Sequence, residues 1–322
     1  MSDTDGRIRL IILGGYLGSG KTTWLRHQLH DGQFQDALVV VNEAAETPID
    51  DALLGSSDRL AVLAGGCVCC TAKQDLIDLL RRVSDERSRA VSTGSPLDLI
   101  VLETSGLADP GAIVEAIRSD PVLVYHVVVS EVIVAVDGLH GMSQLRSEPL
   151  SRHQIEVADQ LIVTKIDAVD QTELALLLAT LKAMSPGAAI SGSVKGVIHD
   201  LPDFSEAKPE YLQDFSANDV KAEISPTRLY LDDRIDWTAF TVWLSALLYA
   251  RGDDIVRVKG VIRTPAGRLL LQTVRKIVQS PEILPDLGDT REDNIVVMIG
   301  RGFTHAQLIK SLDHFVGAHG DS

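Results

Sequence analysis

Short runs of apolar, often β-branched residues recur along the first 164 positions, separated by longer stretches with helical composition. Arg7–Leu13, Ala37–Val41, Leu60–Leu63, Leu97–Glu103, 127–136 and 160–164 read as strands, several apolar on both faces, as inner strands of a parallel sheet are. Thr22 to about His30 and Lys73 to Arg89 read as helices; in the second, Leu76, Ile77, Leu79, Leu80 and Val83 share one face. This alternation predicts a doubly wound α/β domain with a mostly parallel sheet. Between His199 and Asp236 the texture changes: ten acidic residues stand against four basic ones, Pro202, Pro209 and Pro226 interrupt the chain, and periodicity fades. Beyond it, 227–231, the helix 236–250, 255–262, 268–274, 294–299 and the helix 304–315 spell β-α-β-β-β-α, a small α+β unit of ferredoxin-like layout. The expected organisation is residues 1–200 as the α/β domain, 201–225 as an acidic linker and 226–322 as a C-terminal α+β domain.

The 322 residues carry a formal net charge of −15, which disfavours nucleic acid or an anionic membrane as the main partner. The longest apolar stretch, Val122–Val136, is broken by His126, Ser130 and Glu131 and reads as buried strand rather than membrane span. The polar, acidic N-terminus lacks a signal-peptide core, so a soluble cytoplasmic protein is expected. The three cysteines, Cys67, Cys69 and Cys70, fall within four residues, which excludes a disulfide framework and leaves metal or redox chemistry.

Gly14–Thr23 reads GGYLGSGKTT between the first strand and the first helix, the context that a phosphate-binding loop requires. Gly15, Gly18 and Gly20 let successive N–H groups turn toward phosphate oxygens, with Ser19 and Thr23 completing the stretch. Lys21 is expected to reach the β and γ phosphates, and Thr22 to offer its hydroxyl to Mg2+. Asn42–Asp50 follows the second strand and, through residue 52, is a candidate γ-phosphate switch. Glu103-Thr-Ser-Gly106 stands where P-loop GTPases carry D-x-x-G, with the acid facing Mg2+ through water and the Gly106 N–H facing the γ phosphate. Thr164-Lys165-Ile-Asp167 ends another apolar strand. Its Asp can accept from guanine N1 and N2 while the Lys stem packs along the ring, whereas adenine would leave Asp167 unpaired. GTP is therefore expected over ATP. No Gln or Arg stands out for hydrolysis, so slow intrinsic turnover is expected, with positioning groups supplied by a homodimer or a client.

Cys67-Val-Cys69-Cys70 gathers three soft thiolates beside this edge, enough for zinc with a fourth, exchangeable ligand; burial as small apolar residues and thiol exchange are the other readings. GGYLGSGKTT, GGCVCC, ETSGLADP and TKID, in this order and spacing, together resemble the CobW-type GTPases, metal-insertion relatives of UreG and HypB. Val256–Gly260 and Asn294–Gly300 extend the resemblance over nearly the whole chain. It implies phosphate and Mg2+ roles for Lys21, Thr22 and Glu103, a guanine role for Thr164, Lys165 and Asp167, and Zn2+ or Co2+ at Cys67, Cys69 and Cys70. The family's N-E-F-G-E segment appears as Asn42-Glu-Ala-Ala-Glu46, in which Glu46 matches a metal-contacting position but the Phe-Gly pair is missing. The histidine-rich run of many members is absent. The implied activity is that of a GTP-hydrolysing metallochaperone serving a metalloprotein client. The rival expectations are a P-loop small-molecule kinase or ATPase, and a metal- or redox-responsive nucleotide-binding regulator without significant turnover.

Overall fold

Strand β1 (Ile8–Gly14) is buried along almost its whole length, because the apolar run Ile8-Arg-Leu-Ile-Ile-Leu13 is covered on both faces. The computed structural model describes residues 6–34, 36–42, 60–63, 71–90, 97–212, 225–232, 235–252, 254–264, 267–274, 277–278, 281–284 and 293–319. It divides into two units, one over residues 7–215 and one built on residues 216–322.

In the first unit, β1 is followed by α1 (Lys21–His30), β2 (Leu38–Asn42), β3 (Leu60–Leu63), α2 (Thr71–Ala90), β4 (Leu99–Glu103), α3 (Pro110–Ser119), α4 (Leu123–His126) and β5 (Val127–Asp137). Then come α5 (Gly141–Ser147), α6 (Pro149–Glu156), β6 (Gln160–Thr164), a 3-10 turn Ile166–Ala168, α7 (Gln171–Met184), β7 (Ala189–Val194) and β8 (Val197–His199). The strands form one sheet in the order β3-β2-β4-β1-β5-β6-β7-β8, parallel except for β8, which closes one edge antiparallel to β7. This is the expected doubly wound architecture; β7 and β8 are additions that the apolar pattern does not announce, since half-buried Ser191 and buried Ser193 interrupt it.

Helix starts follow local chemistry. Asp109 caps α3 by accepting from the Gly111 N–H at 2.8 Å, with Pro110 at the first helical position, and Asp170 accepts from Thr172 N–H to start α7. One core lies between α1 and the sheet, where Trp24, Leu25 and Leu29 pack on Ile11, Leu13, Val39 and Val101. Trp24 is 5% exposed and meets Phe34 edge-on at 6.4 Å; its indole N–H has no hydrogen-bond partner among the described residues. Residues 201–212, acidic in texture, lie along this unit: Glu210 pairs with Arg146 at 2.6 Å and its N–H donates to Thr180 Oγ1 at 3.0 Å.

The second unit runs β9 (Ser225–Tyr230), α8 (Trp237–Arg251), β10 (Ile255–Thr264), β11 (Gly267–Val274), β12 (Ile277–Val278), β13 (Glu282–Leu284), β14 (Ile295–Gly300) and α9 (His305–His319). Its antiparallel sheet has the order β12-β11-β10-β14-β9, with β13 also pairing with β11. The expected β-α-β-β-β-α order is present, augmented by the two- and three-residue strands β12 and β13, too short to carry a periodic signal. Asp236 caps α8. Phe240, Trp243, Leu244 and Leu248 of that helix bury against Val258, Val296 and Met298, and Trp243 donates to Ser311 Oγ of α9 at 3.0 Å. Among the described residues no helix is long and apolar enough to cross a membrane.

Candidate nucleotide site

Gly14 ends β1 and Lys21 begins α1, so residues 15–20 form the connecting loop. Gly15 has φ +134°, and a Cβ there would lie 2.3 Å from the Ala135 carbonyl oxygen of β5, so only glycine lets the loop lean this closely on the sheet. Gly18 and Gly20 also have positive φ, and Ser19 between them is buried. No side chain caps the start of α1, which leaves its positive end directed at whatever fills the loop. Lys21 is buried, and its Nζ donates to the carbonyls of Gly15 at 2.8 Å and Tyr16 at 3.2 Å. Burial pushes the Lys21 ammonium below its ordinary pKa, with the charge of Glu103 opposing that shift. The loop carbonyls thus hold the cation in place, and an incoming phosphate would offer it a far stronger partner.

The parallel pairing of Leu13 with Glu103 brings the end of β4 beside the loop. Thr22 Oγ1 donates to Glu103 Oε1 at 2.5 Å. A hydroxyl and a carboxylate, both hard oxygen donors, therefore meet at the start of α1, a donor set that fits Mg2+. After Glu103 the chain is fixed by Thr104, whose N–H and hydroxyl both donate to the Leu13 carbonyl. Gly106 then passes so close to the loop that a Cβ would sit 2.7 Å from the Leu17 nitrogen. Thr23 is exposed at the first turn of α1.

On the other side, β6 delivers the T-K-x-D residues. Thr164 Oγ1 donates to the Ser19 carbonyl at 2.8 Å, locking this strand to the loop. Lys165 adopts φ +56°, and its Nζ donates to the Gly18 carbonyl at 2.9 Å and to Asp137 Oδ2 at 2.7 Å. Asp167 lies in the 3-10 turn and is exposed. The residues read from the sequence as Gly15, Gly18, Ser19, Gly20, Lys21, Thr22, Gly106, Thr164, Lys165 and Asp167 therefore surround one loop, with Glu103 at its inner end.

Three contributors were not legible in the sequence. Asp137, at the end of β5, accepts from Leu139 N–H at 2.9 Å, His140 N–H at 3.3 Å and Lys165. Burial alone would raise its pKa, but the hydrogen bonds from Lys165 and His140 outweigh that and hold the carboxyl below its ordinary value. Gln154 of α6 donates to the carbonyls of Gly106 and Ala108, fixing the segment after Glu103. Ser193 on β7 pairs in register with Thr164; it is fully buried, and its hydroxyl has no partner among the described residues. A carboxylate closing an apolar strand was the only sequence signal for Asp137; the other two act through contacts between distant segments.

Cys67, Cys69, Cys70, Glu46 and the switch segment from residue 43 to 52 lie outside the described residues. Among the described residues no group of three or more His, Cys, Asp or Glu is placed to hold a metal. The strands that border those segments are described. Asn42 pairs with Leu63 and Val41 with Glu103, so β2, β3 and β4 end side by side.

Residues 9–191 match the family described as CobW/HypB/UreG, nucleotide-binding domain, and residues 224–316 match the cobalamin synthesis protein cobW C-terminal domain. The zinc chaperone YjiA of Escherichia coli is 30% identical over 305 residues, covering 91% of this chain and 94% of that protein. The zinc chaperone CobW of Pseudomonas aeruginosa is 29% identical, with 96% and 92% covered. Among solved structures, the Zn(II)-bound YjiA GTPase from E. coli matches with a TM-score of 0.59 at 22% identity over 96% of this chain and 99% of that one, a likeness of fold. With a P-loop unit and a C-terminal unit that both match, the chain belongs to the CobW/HypB/UreG family of nucleotide-binding proteins.

Proposed function

We propose that this protein is a GTP-hydrolysing metallochaperone that couples its nucleotide state to the binding and delivery of zinc to a metalloprotein client. The observation that carries this reading is the shared sheet edge. The segment bearing Cys67, Cys69 and Cys70 leaves β3 after Leu63, and the segment bearing Glu46 leaves β2 after Asn42, directly beside the end of β4 with Glu103. Strands in a sheet are about 4.8 Å apart, so β3 lies roughly 10 Å from β4. A nucleotide that orders the γ-phosphate side of the loop thus acts next to the roots of the thiolate segment.

In this reading, the N–H groups around Gly15, Gly18, Ser19, Gly20 and Thr23 cradle the phosphates, and Lys21 exchanges its carbonyl partners for phosphate oxygens. Thr22 and Glu103 hold Mg2+, which supplies charge neutralisation at the β and γ oxygens. Gly106 offers its N–H to the γ phosphate. Asp167 accepts from the guanine edge, Lys165 lies along its face, and Thr164 ties that wall to the loop. The cysteines, with Glu46, take zinc, the metal named for the E. coli and P. aeruginosa relatives; cobalt is the competing ion to test. The working organisation is a GTPase domain over 1–200, an acidic linker over 201–225 and a CobW-like α+β domain over 226–322. The protein works in the cytoplasm without nucleic acid or membrane, and a homodimer or the client completes the hydrolytic site.

The test is zinc affinity of the full chain with GDP and with a non-hydrolysable GTP analogue, measured by competition with a chromophoric chelator. The expected result is a difference of at least fivefold, matched by the same factor in nucleotide affinity with and without zinc, because coupling is reciprocal. Equal zinc affinity in the two states overturns the coupling. No GTP turnover with both Mg2+ and zinc present overturns the enzymatic part.

A further inference from the structure

We propose that Asp137 is a positioning residue for base selection, acting on the nucleotide through Lys165; the proposal rests on the guanine reading of the T-K-x-D turn. Lys165 occupies left-handed backbone space, which an L residue rarely adopts, immediately before the 3-10 turn that carries Asp167. Something must hold it there. Its ammonium is held at two points, the Gly18 carbonyl and Asp137 Oδ2. Gly18 belongs to the exposed loop that the nucleotide itself contacts. Asp137 is the fixed end: its side chain is 3% exposed, and its backbone pairs in register with Thr164.

The next residue strengthens the template. Gly138 N–H donates to the Thr164 carbonyl at 2.9 Å, and a Cβ on Gly138 would lie 2.6 Å from that oxygen. The Asp137–Gly138 backbone is thus pressed against Thr164–Lys165, and the carboxylate grips the lysine from the same spot. With Asp137 in place, the lysine stem is drawn toward the loop and the turn after it is set for Asp167 to face a base. Among the described residues, the charged or titratable groups in contact with Asp137 are Lys165 and His140, whose Nδ1 is 3.2 Å from Oδ2. Asp137 also binds the N–H groups of Leu139 and His140 ahead of α5, so a purely structural role is the alternative to exclude.

Asp137→Asn keeps the shape and an oxygen for the two backbone N–H groups but removes the charge that holds Lys165. Affinities of the full chain for GDP and ADP, with Mg2+, separate the two roles. The expected result is that GDP weakens at least tenfold while ADP changes less than twofold, so the guanine preference falls by the same tenfold or more. In a Lys165→Met background, Asp137→Asn should add less than a further twofold, because both changes remove one interaction. Asp137→Ser serves as a second variant. Equal weakening of GDP and ADP, an unchanged ratio, additive losses, or failure of both variants to fold would each overturn the positioning role. Wild-type protein with no preference for GDP would instead sink the guanine reading beneath it, and the proposal with it.

Discussion

Thr22 and Glu103 are separated by 81 residues in the chain, yet the threonine hydroxyl donates to the glutamate carboxylate at 2.5 Å. The pair joins the first turn of α1 to the end of β4, and both oxygens are of the type that Mg2+ selects. The contact exists because β1 and β4 are neighbours in parallel register, so the loop after one strand and the last residue of the other share one edge.

Glu103→Gln keeps the side-chain shape and removes the charge. GTP turnover should fall by about 10²-fold, the range found when a group stabilising transition-state charge is lost. GDP binding without Mg2+ should change little. Steady-state phosphate release over an Mg2+ titration checks this, and Thr22→Ala combined with Glu103→Gln should be hardly worse than either alone.

Lys21→Met tests the buried ammonium. Burial depresses its pKa, so the charged form is disfavoured in the folded protein relative to the unfolded chain. The expected outcome is an empty protein no less stable than wild type, with the stabilisation conferred by GDP gone. Thermal unfolding with and without millimolar GDP reads both.

Two loop glycines should differ sharply. Alanine at Gly15 meets the Ala135 carbonyl at 2.3 Å on top of an unfavourable φ, so Gly15→Ala should cost about 2–3 kcal/mol and abolish nucleotide binding. Gly18 also has positive φ, but a Cβ there meets nothing within 4 Å. Gly18→Ala should cost only about 1 kcal/mol. Urea denaturation of the two variants distinguishes collision from backbone preference.

Acid should weaken the fold through Asp120. Burial pushes this carboxyl up, but the Leu123 N–H, the Arg81 guanidinium at 2.6 Å and the Val122 N–H together hold it below its ordinary value. Because the folded value is the lower one, its contribution is full above the ordinary carboxylate range and is lost as pH falls through the folded value. Asp120→Asn should reduce stability near neutrality and flatten its decline toward pH 3. Denaturant midpoints between pH 7 and 3 provide the comparison.

The chemistry legible in the sequence was local. Gly15–Thr22 and Thr164–Asp167 are each one short continuous segment, so their spacing made them candidates, and the apolar runs before them marked which strand ends they follow. Glu103 was legible because it closes such a run. Asp137 closes one too, but its role depends on a lysine that arrives 28 residues later. Ser193 acquires its place only through the pairing of β7 with β6. The acidic texture of 201–225 reads as a linker; within it, Glu210 pairs with Arg146 across 64 residues, a contact that composition does not encode.

Trp24 sits three residues beyond Lys21, sealed under α1 and set edge-on to Phe34, while Trp237 and Trp243 belong to the other unit. Any shift of that helix when the loop fills must alter the surroundings of this indole. The chain therefore carries its own optical probe: with Trp237 and Trp243 changed to phenylalanine, ultraviolet emission from a single fluorophore would follow nucleotide arrival and departure in real time, without a dye.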